Sequence, residues 1–181
     1  MKKAEDKTTY FFVDEAGDPV FYNKRGRFIV GEEGCSKILM LGFISTDRPE
    51  LLRKAILSLR EGIKKDKYLE KIPSVSKTLN AFHAKDDCPE VREKVFKLIL
   101  KLDFKAEFVV ARKIEAIFKK RHQSKMGVFY NDLFSKLFEN KIHGNKQNII
   151  YYAVRGNRDR QSVVSEAVQT AILSFEERWK V

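Results

Sequence analysis

The chain has 181 residues, 43% of them hydrophobic, so it can bury one good core, and we predict one globular domain over 1–181. Its formal net charge of +11 attracts polyanions, and nucleic acid, DNA or RNA, is the expected partner. The cysteines and histidines match no zinc spacing, and no apolar run approaches the roughly 18 residues that cross a bilayer, which excludes zinc-site and transmembrane classes.

The start of the chain, 1–7, is charged and is expected to be a tail rather than a secretory signal. A reduced, cytoplasmic setting is therefore predicted. Strands are predicted from aromatic and β-branched residues and from alternating apolar positions. These segments are 11–13, 28–30, 37–44, 104–111 and 149–154, with a shorter extended piece at 79–84. Short polar links between the first strands predict antiparallel neighbours.

Helices are predicted from apolar residues at helical spacing. One begins near Pro49 with Asp47 as its N-cap, and another begins near Pro89 with Asp87 as its N-cap. Further helical segments are expected around 114–118, over 128–138 and over 162–179. The polar, basic stretch 64–78 is predicted to be a surface excursion. This order predicts an α/β fold in which helices flank one mixed sheet in three layers.

Acidic residues follow the first predicted strand at a turn. Gly17 and Pro19 suit a turn that folds Asp18 back toward Asp14, which is expected to end the strand. Carboxylate oxygens are the ligands that hard divalent cations prefer, so Asp14 and Asp18 are candidate metal ligands. The structural alternative is that both carboxylates accept backbone N–H bonds within the turn.

A second candidate site lies where the extended piece meets the helix that begins near Pro89. It comprises His83, Lys85, Asp86 and Asp87. Junctions of this kind often line active sites. The structural alternatives are a partly buried, hydrogen-bonded His83 and an N-cap role for Asp87.

Basic residues form two further candidate contacts with nucleic acid. The first group, after the last predicted strand, comprises Arg155, Arg158 and Arg160. Guanidinium groups bind phosphate oxygens bidentately. Asp159, between them, is either a metal ligand or a cap of the last helix. The second group comprises Lys119, Lys120 and Arg121. A solvated surface is the alternative for both groups.

The first acidic segment resembles the opening Asp-Glu-Ser-Gly-Asp motif of the domain-of-unknown-function 3800 family. The matching residues are Asp14, Glu15, Ala16, Gly17 and Asp18, with Ala16 in place of the serine. The second and third sites resemble a His-Ala element with acids nearby and a basic-acidic turn of the same family. The resemblance covers most of 8–175 and implies a ribonuclease H-like fold and nuclease activity.

The resemblance implies metal-dependent hydrolysis of phosphodiester bonds, with Mg²⁺ or Mn²⁺ as the cofactor. Two ions about 4 Å apart would clamp the scissile phosphate and the attacking water. The implied metal ligands are Asp14, Asp18, Asp86 or Asp87, and Asp159. The implied catalytic residues are Asp14, Glu15, His83 and Lys85. Lys85 would stabilise developing charge, and His83 would move a proton near neutral pH.

Departures from the family favour an alternative function. The predicted strand 104–111 ends in Arg112 and Lys113, where many ribonuclease H-like nucleases carry an acid, and the family's closing Gln-Ala-Asp-like motif is missing. Glu166 is the remaining candidate acid in the last predicted helix. The alternative is a catalytically inactive protein that binds nucleic acid or a partner, and a phosphatase or phosphotransferase is a further one. Trp179, on the apolar face of the last predicted helix, is expected either to pack within the protein or to join a homo-oligomer interface.

Overall fold

The computed structural model describes 8–139, 141–142, 147–152, 169–170, 172–173 and 177. The chain divides into two compact units, each with its own hydrophobic core. The first is formed by Met1–Asp47 and Lys105–Val181, and the second by Arg48–Phe104. The sequence predicts one globular domain and therefore does not anticipate this division. Within the described ranges, no helix combines the length and apolar content needed to cross a membrane.

A mixed four-stranded sheet in the first unit confirms the predicted α/β class. Its strands are β1 (Thr9–Gly17), β2 (Ile38–Thr46), β3 (Lys105–Arg112) and β4 (Asn148–Tyr152). The strand order is β3-β2-β1-β4. β1 and β2 are antiparallel, as predicted, and β3 is antiparallel to β2. β4 is parallel to β1 and pairs Tyr152 with Val13, so the carboxyl ends of these two strands lie at the same edge of the sheet.

One face of the sheet carries an aromatic core. Helix α4 (Glu115–His122) packs on helix α5 (Met126–Phe138), and α5 packs on β2 and β3. Both helices were predicted from their apolar spacing. Edge-to-face aromatic pairs stabilise such cores by about 1 kcal/mol beyond the burial of their area. The buried core residues shared by the sheet and the helices include Phe11, Val13, Leu39, Leu41, Phe43, Phe118, Phe129, Leu133, Phe134, Leu137 and Phe138.

The opposite face of the sheet presents apolar side chains that are exposed. Phe108 and Val110 of β3 have 61% and 59% of their surface exposed. Phe12 stacks on Tyr151, with ring centroids 5.1 Å apart. β3 confirms the strand predicted at 104–111, and its alternation places one set of side chains on this exposed face.

A long loop connects β1 to β2, and the strand predicted within it at 28–30 is wrong. Phe28 forms an isolated bridge with Tyr22 instead of joining a ladder. Gly31 then turns the backbone with a φ of +89°, a conformation that side-chain-bearing residues rarely adopt. Turn geometry therefore overrides the β propensity of this short apolar segment.

Phe21 anchors the middle of the same loop. Its side chain is 1% exposed and stacks on Phe118 of α4, with ring centroids 3.8 Å apart. The ring also meets Phe129 of α5 edge-on, at 5.2 Å between centroids. The loop is therefore packed into the core of its unit.

The second unit is helical and has an aliphatic core. Its elements are α1 (Pro49–Lys64), a 3₁₀ turn (Leu69–Lys71), α2 (Val75–Thr78) and α3 (Pro89–Ile99). Ile63, Leu69, Val75 and Val91 are buried together. The prediction that 64–78 is a surface excursion therefore needs correction, because Leu69 and Val75 are 1% and 4% exposed. The apolar residues of this stretch are isolated among charged ones, which hides the helical pattern.

Both predicted N-caps lie one position too early. Arg48 occupies the N-cap of α1 and Cys88 that of α3, where Asp47 and Asp87 were predicted. In each helix a proline takes the first helical position, where its missing N–H costs nothing, so the residue just before it becomes the cap. The extended piece predicted at 79–84 is turn and irregular chain rather than a strand.

The last predicted elements lie partly outside the described residues. β4 confirms the strand predicted at 149–154 as far as Tyr152. Within the helix predicted at 162–179, the described residues are helical. The predicted tail at 1–7, Glu166 and Trp179 lie outside the described part of the chain.

Candidate functional site

Asp14 lies within β1 rather than at its end, because the strand continues to Gly17. Its side chain is exposed and alternates with the buried core residues, so it belongs to the open face of the sheet. Its register partner is Gly42 of β2, and the next residue across the sheet is Phe108 of β3. A Cβ on Gly42 would overlap the ring of Phe108. The glycine therefore lets an aromatic ring lie flat across the sheet beside the position of Asp14.

Glu15 takes part in a hydrogen-bonded chain with two tyrosines. The Tyr152 hydroxyl donates to Oε2 of Glu15 at 3.3 Å, and the Tyr130 and Tyr152 hydroxyl oxygens are 2.7 Å apart. Burial, and then the hydrogen bond with Tyr152, raise the pKa of Tyr130 well above its usual range. Tyr130 therefore keeps its proton and links α5 to the carboxyl ends of β1 and β4.

Asp18 organises the start of the long loop. Its Oδ1 accepts the backbone N–H of Val20 at 2.9 Å and the ammonium of Lys113 at 3.0 Å. Its Oδ2 accepts the backbone N–H and the hydroxyl of Ser36, both at 3.0 Å. The Lys113 side chain has 0% of its surface exposed. Both oxygens of Asp18 thus face donors of this chain.

The electrostatics of Asp18 agree with these contacts. Burial alone would raise its pKa, but the hydrogen bonds from Ser36, Lys113 and Val20 outweigh burial and hold the pKa below its usual range. Gly17 makes the geometry possible, because its φ is +93° and a Cβ there would lie 2.5 Å from the Ile38 carbonyl oxygen. A carboxylate whose oxygens already accept several hydrogen bonds has few lone pairs left to coordinate a metal ion. The contacts of Asp18 therefore match the structural alternative, in which the carboxylate accepts backbone N–H bonds within the turn.

The second site lies in the second unit. Asp87 is 6% exposed, and it accepts the Thr78 hydroxyl at 2.5 Å and the His83 backbone N–H at 2.8 Å. This carboxylate ties the segment before α3 to the end of α2. Nδ1 of His83 lies 3.3 Å from Oδ2 of Asp86, and both side chains are about half exposed. Lys85 is exposed. The proton-transfer role of His83 and the charge-stabilising role of Lys85 stay predictions.

The basic cluster of α4 is largely paired within the first unit. Lys119 lies 2.8 Å from Glu115, and Arg121 lies 2.8 Å from Asp132. Lys120 is exposed. Cations in the last turn of a helix are also favoured by its dipole. Ion pairing and the helix end therefore account for most of this cluster, and its contact with nucleic acid stays a prediction.

The third site lies outside the described residues. It comprises Arg155, Arg158, Asp159 and Arg160. Over the ranges that the structure does describe, no group of three or more His, Cys, Asp or Glu side chains is arranged to hold a metal ion. Asp14, Glu15 and Asp18 belong to the first unit, and the residues of the second site belong to the second unit.

Sequence reasoning missed three polar residues that shape this region, Lys113, Tyr130 and Tyr152. Lys113 is a departure from the family pattern at the end of a strand, but its contact with Asp18 spans a separation of 95 residues. The Tyr130–Tyr152 contact joins a helix to a strand. A local pattern contains no signal for either contact, although a lysine directly after a strand of the sheet is a reason to look for an acidic partner.

Comparisons of the chain with protein-family models, with curated proteins and with solved structures found no match. They give no support to the resemblance to the domain-of-unknown-function 3800 family, which rests on the short motifs alone. What the structure establishes is an α/β fold with a mixed sheet.

Proposed function

We propose that this protein is a divalent-metal-dependent nuclease that hydrolyses phosphodiester bonds of DNA or RNA, on a ribonuclease H-like, three-layer fold. The observation that carries the proposal is the parallel pairing of β1 with β4. It aligns the carboxyl end of the strand that contains Asp14 and Glu15 with that of the strand that precedes Asp159 in the sequence.

In open α/β sheets, ligands bind beside the carboxyl ends of the strands. β4 ends at Tyr152, the strand partner of Val13, and the arginines at 155, 158 and 160 follow it in the sequence. Acids that hold a cation and guanidinium groups that bind phosphate would then serve one edge of the sheet. The net charge of +11 favours a polyanionic substrate.

Asp14 fits a magnesium or manganese site of the kind that relies on few protein ligands. Mg²⁺ keeps several waters and uses one or two carboxylates together with phosphate oxygens of the substrate. Asp14 offers an exposed carboxylate on an open sheet face, whereas Asp18 does not fit because its oxygens accept donors of the chain. We assign Asp14, with Asp159, as the ligands. A bound ion would polarise the phosphate and activate water.

Glu15 follows Asp14 in β1 and faces the opposite side of the sheet, toward α5, so we assign it a structural role rather than the predicted catalytic one. Tyr130 keeps its proton, and its contact with Tyr152 orients the Tyr152 hydroxyl, which donates to Glu15. The carboxylate of Glu15 is thereby held near the carboxyl end of β1. It connects β1 to β4 and α5 through the tyrosines, and the arginines of the third site would hold the phosphate.

The decisive experiment compares the wild-type protein with Asp14→Asn. Titration of Mg²⁺ and Mn²⁺ by calorimetry measures metal binding, and a mixed set of DNA and RNA oligonucleotides measures cleavage. We expect saturable metal binding in the wild type and its loss in the variant. Cleavage should fall by about two orders of magnitude or more, because several kcal/mol of transition-state stabilisation are removed.

A matched control is Glu33→Gln. Glu33 is an exposed carboxylate in the long loop of the same unit, so this variant removes the same charge at a position without a predicted role. It should bind metal and cleave like the wild type. Equal losses in both variants would mean that net charge alone matters, and no metal binding by the folded wild type would refute the proposal.

A second candidate is a catalytically inactive protein that binds nucleic acid. The commitment of Asp18 to Lys113 and Ser36 favours it, because it removes one of the predicted metal ligands. This function predicts binding that weakens steeply with salt, as expected when lysines and arginines displace counterions from phosphates. Binding would be the same in Asp14→Asn and in the wild type, and neither would cleave.

A further inference from the structure

Cys35 and Lys113 form a buried pair of a thiol and an amine. Sγ of Cys35 lies 3.5 Å from Nζ of Lys113, and Cys35 is 7% exposed. The Lys113 side chain, at the end of β3, has 0% of its surface exposed. Lysine is almost never fully buried unless it is paired, and here the pairing includes a sulfur atom as well as a carboxylate.

Two oxygen atoms hold the sulfur and the nitrogen together. The Val20 carbonyl oxygen lies 2.9 Å from Nζ of Lys113 and 3.4 Å from Sγ of Cys35. Oδ1 of Asp18 lies 3.0 Å from the same nitrogen and 3.7 Å from the same sulfur. Because both atoms share these acceptors, neither can move away from the other without breaking a partly buried polar contact. Such confinement raises the effective concentration of one group near the other.

We propose that this pair is an oxidative modification site, at which peroxide links Cys35 to Lys113 through a sulfur–nitrogen bond. Hydrogen peroxide first oxidises the thiol to a sulfenic acid and is reduced to water. The Lys113 ammonium gives a proton to solvent, and the free amine then attacks the sulfur. The S–N bond forms as the S–O bond breaks, and the hydroxyl leaves with one amine proton as a second water. Cysteine sulfenic acids condense with a backbone nitrogen in the same way.

The bond would join the long loop to the end of β3 covalently. In the reduced protein this junction is held by the ion pair of Lys113 with Asp18 and by the Ser36 contacts. After oxidation the same atoms would be linked by a bond that excess thiol reverses, returning the thiol and the amine as the reductant forms its own disulfide. The inference is independent of nuclease activity, because none of its atoms belongs to the proposed site.

The test uses the full-length protein with Cys88→Ser, which leaves Cys35 as the single thiol. After treatment with hydrogen peroxide, we expect the intact mass to fall by about 2 Da. A peptide map should show one cross-linked product that joins the segments around Cys35 and Lys113, with no cleavage by trypsin at Lys113. Added dithiothreitol should restore the original mass and map.

Two variants separate this reaction from ordinary thiol oxidation. Lys113→Arg keeps a cation beside Asp18 but replaces the amine with a poorly nucleophilic guanidinium, so it should yield a sulfenic acid that dimedone traps. Cys35→Ser should give no cross-link. The proposal is overturned if the Cys88→Ser protein gains about 16 or 32 Da at Cys35 without a linked peptide. It is also overturned if Cys35 stays reduced while Cys88 of the wild type is oxidised.

Discussion

Asp14 and Asp18 belong to one short acidic segment, yet the structure gives them opposite environments. Asp14 is exposed on the open face of the sheet, beside Gly42 and Phe108. Asp18 lies at the junction of the long loop with β3, where its oxygens accept donors from Val20, Ser36 and the buried Lys113. The first carboxylate is available to a ligand, and the second holds the loop in place.

The difference teaches that the sequence neighbourhood of a carboxylate does not decide its role. The two aspartates are four positions apart, Asp14 within β1 and Asp18 directly after it. What separates them is a lysine from a remote strand end, which neutralises one carboxylate and leaves the other to solvent. A buried charge is costly without a partner of opposite charge, and the ammonium of Lys113 is paired with the carboxylate of Asp18.

The largest expected effect concerns Lys113. Replacing it by methionine removes the ammonium and leaves the Asp18 carboxylate in a site built for a cation. We expect the free energy of unfolding to fall by about 2–3 kcal/mol, less than for a fully buried pair, because Asp18 is 30% exposed and keeps its hydrogen bonds from Ser36 and Val20. Urea denaturation measures this change. Lys24→Met, in an exposed turn of the same loop, should change the stability by less than about 0.5 kcal/mol. Equal losses of stability in Lys113→Met and Lys24→Met would show that the pairing of Lys113 with Asp18 does not hold the loop in place.

A smaller effect is expected on the Asp14 side of the comparison. Gly42→Ala places a Cβ where the Phe108 ring lies, so the ring must move, and we expect a loss of about 1–3 kcal/mol in urea denaturation. The double variant with Phe108→Ala should recover part of it. Gly62→Ala is the control, because its Cβ would meet no atom within 4 Å. In the interior of α1 this change should stabilise by about 0.5–1 kcal/mol.

The pH dependence sharpens the comparison further. The pKa of Asp18 is held below its ordinary value of 3.8, so its contribution to stability is fully present above that value and is lost as pH falls through the lowered pKa. The stability difference between the wild type and Asp18→Asn should therefore be constant from weakly acidic to neutral pH and shrink at lower pH. Denaturation at several pH values measures it. In a Lys113→Met background the difference should be smaller throughout.

The smallest effect is expected for Asp14→Asn. The side chain is exposed on the sheet, so the amide should change the free energy of unfolding by less than about 0.5 kcal/mol. Thermal unfolding of the variant and the wild type in metal-free buffer checks this value. A loss above about 1 kcal/mol would show that Asp14 also supports the fold, and the contrast with Asp18 would fail.

Local patterns predicted most elements of the sheet unit. The alternation in β3 and the helical spacing in α5 are repeated over enough residues to exceed the noise of single positions. The strand at 28–30 failed because three apolar residues among turn-forming glycines carry too little pattern. The stretch 64–78 failed for the opposite reason, since its core residues are dispersed among charges.

The candidate site was less predictable than the fold. The acidic segment identified Asp14 and Asp18 as residues of interest, but their different roles depend on contacts made across the fold. The same is true of Glu15, whose tyrosine partner Tyr152 lies on the parallel strand β4. Sequence patterns report local periodicity, whereas hydrogen-bond partners are chosen by the tertiary fold.

The aromatic anchor of the long loop also has a consequence for synthesis on the ribosome. Phe21 stacks on Phe118, and Asp18 pairs with Lys113, so the loop is completed by residues that are translated much later. Contacts of such large sequence separation form slowly and late. Until α4 has emerged, the loop has none of these partners. We therefore expect a nascent chain that stops before Lys113 to present an open β1–β2 segment to chaperones and proteases.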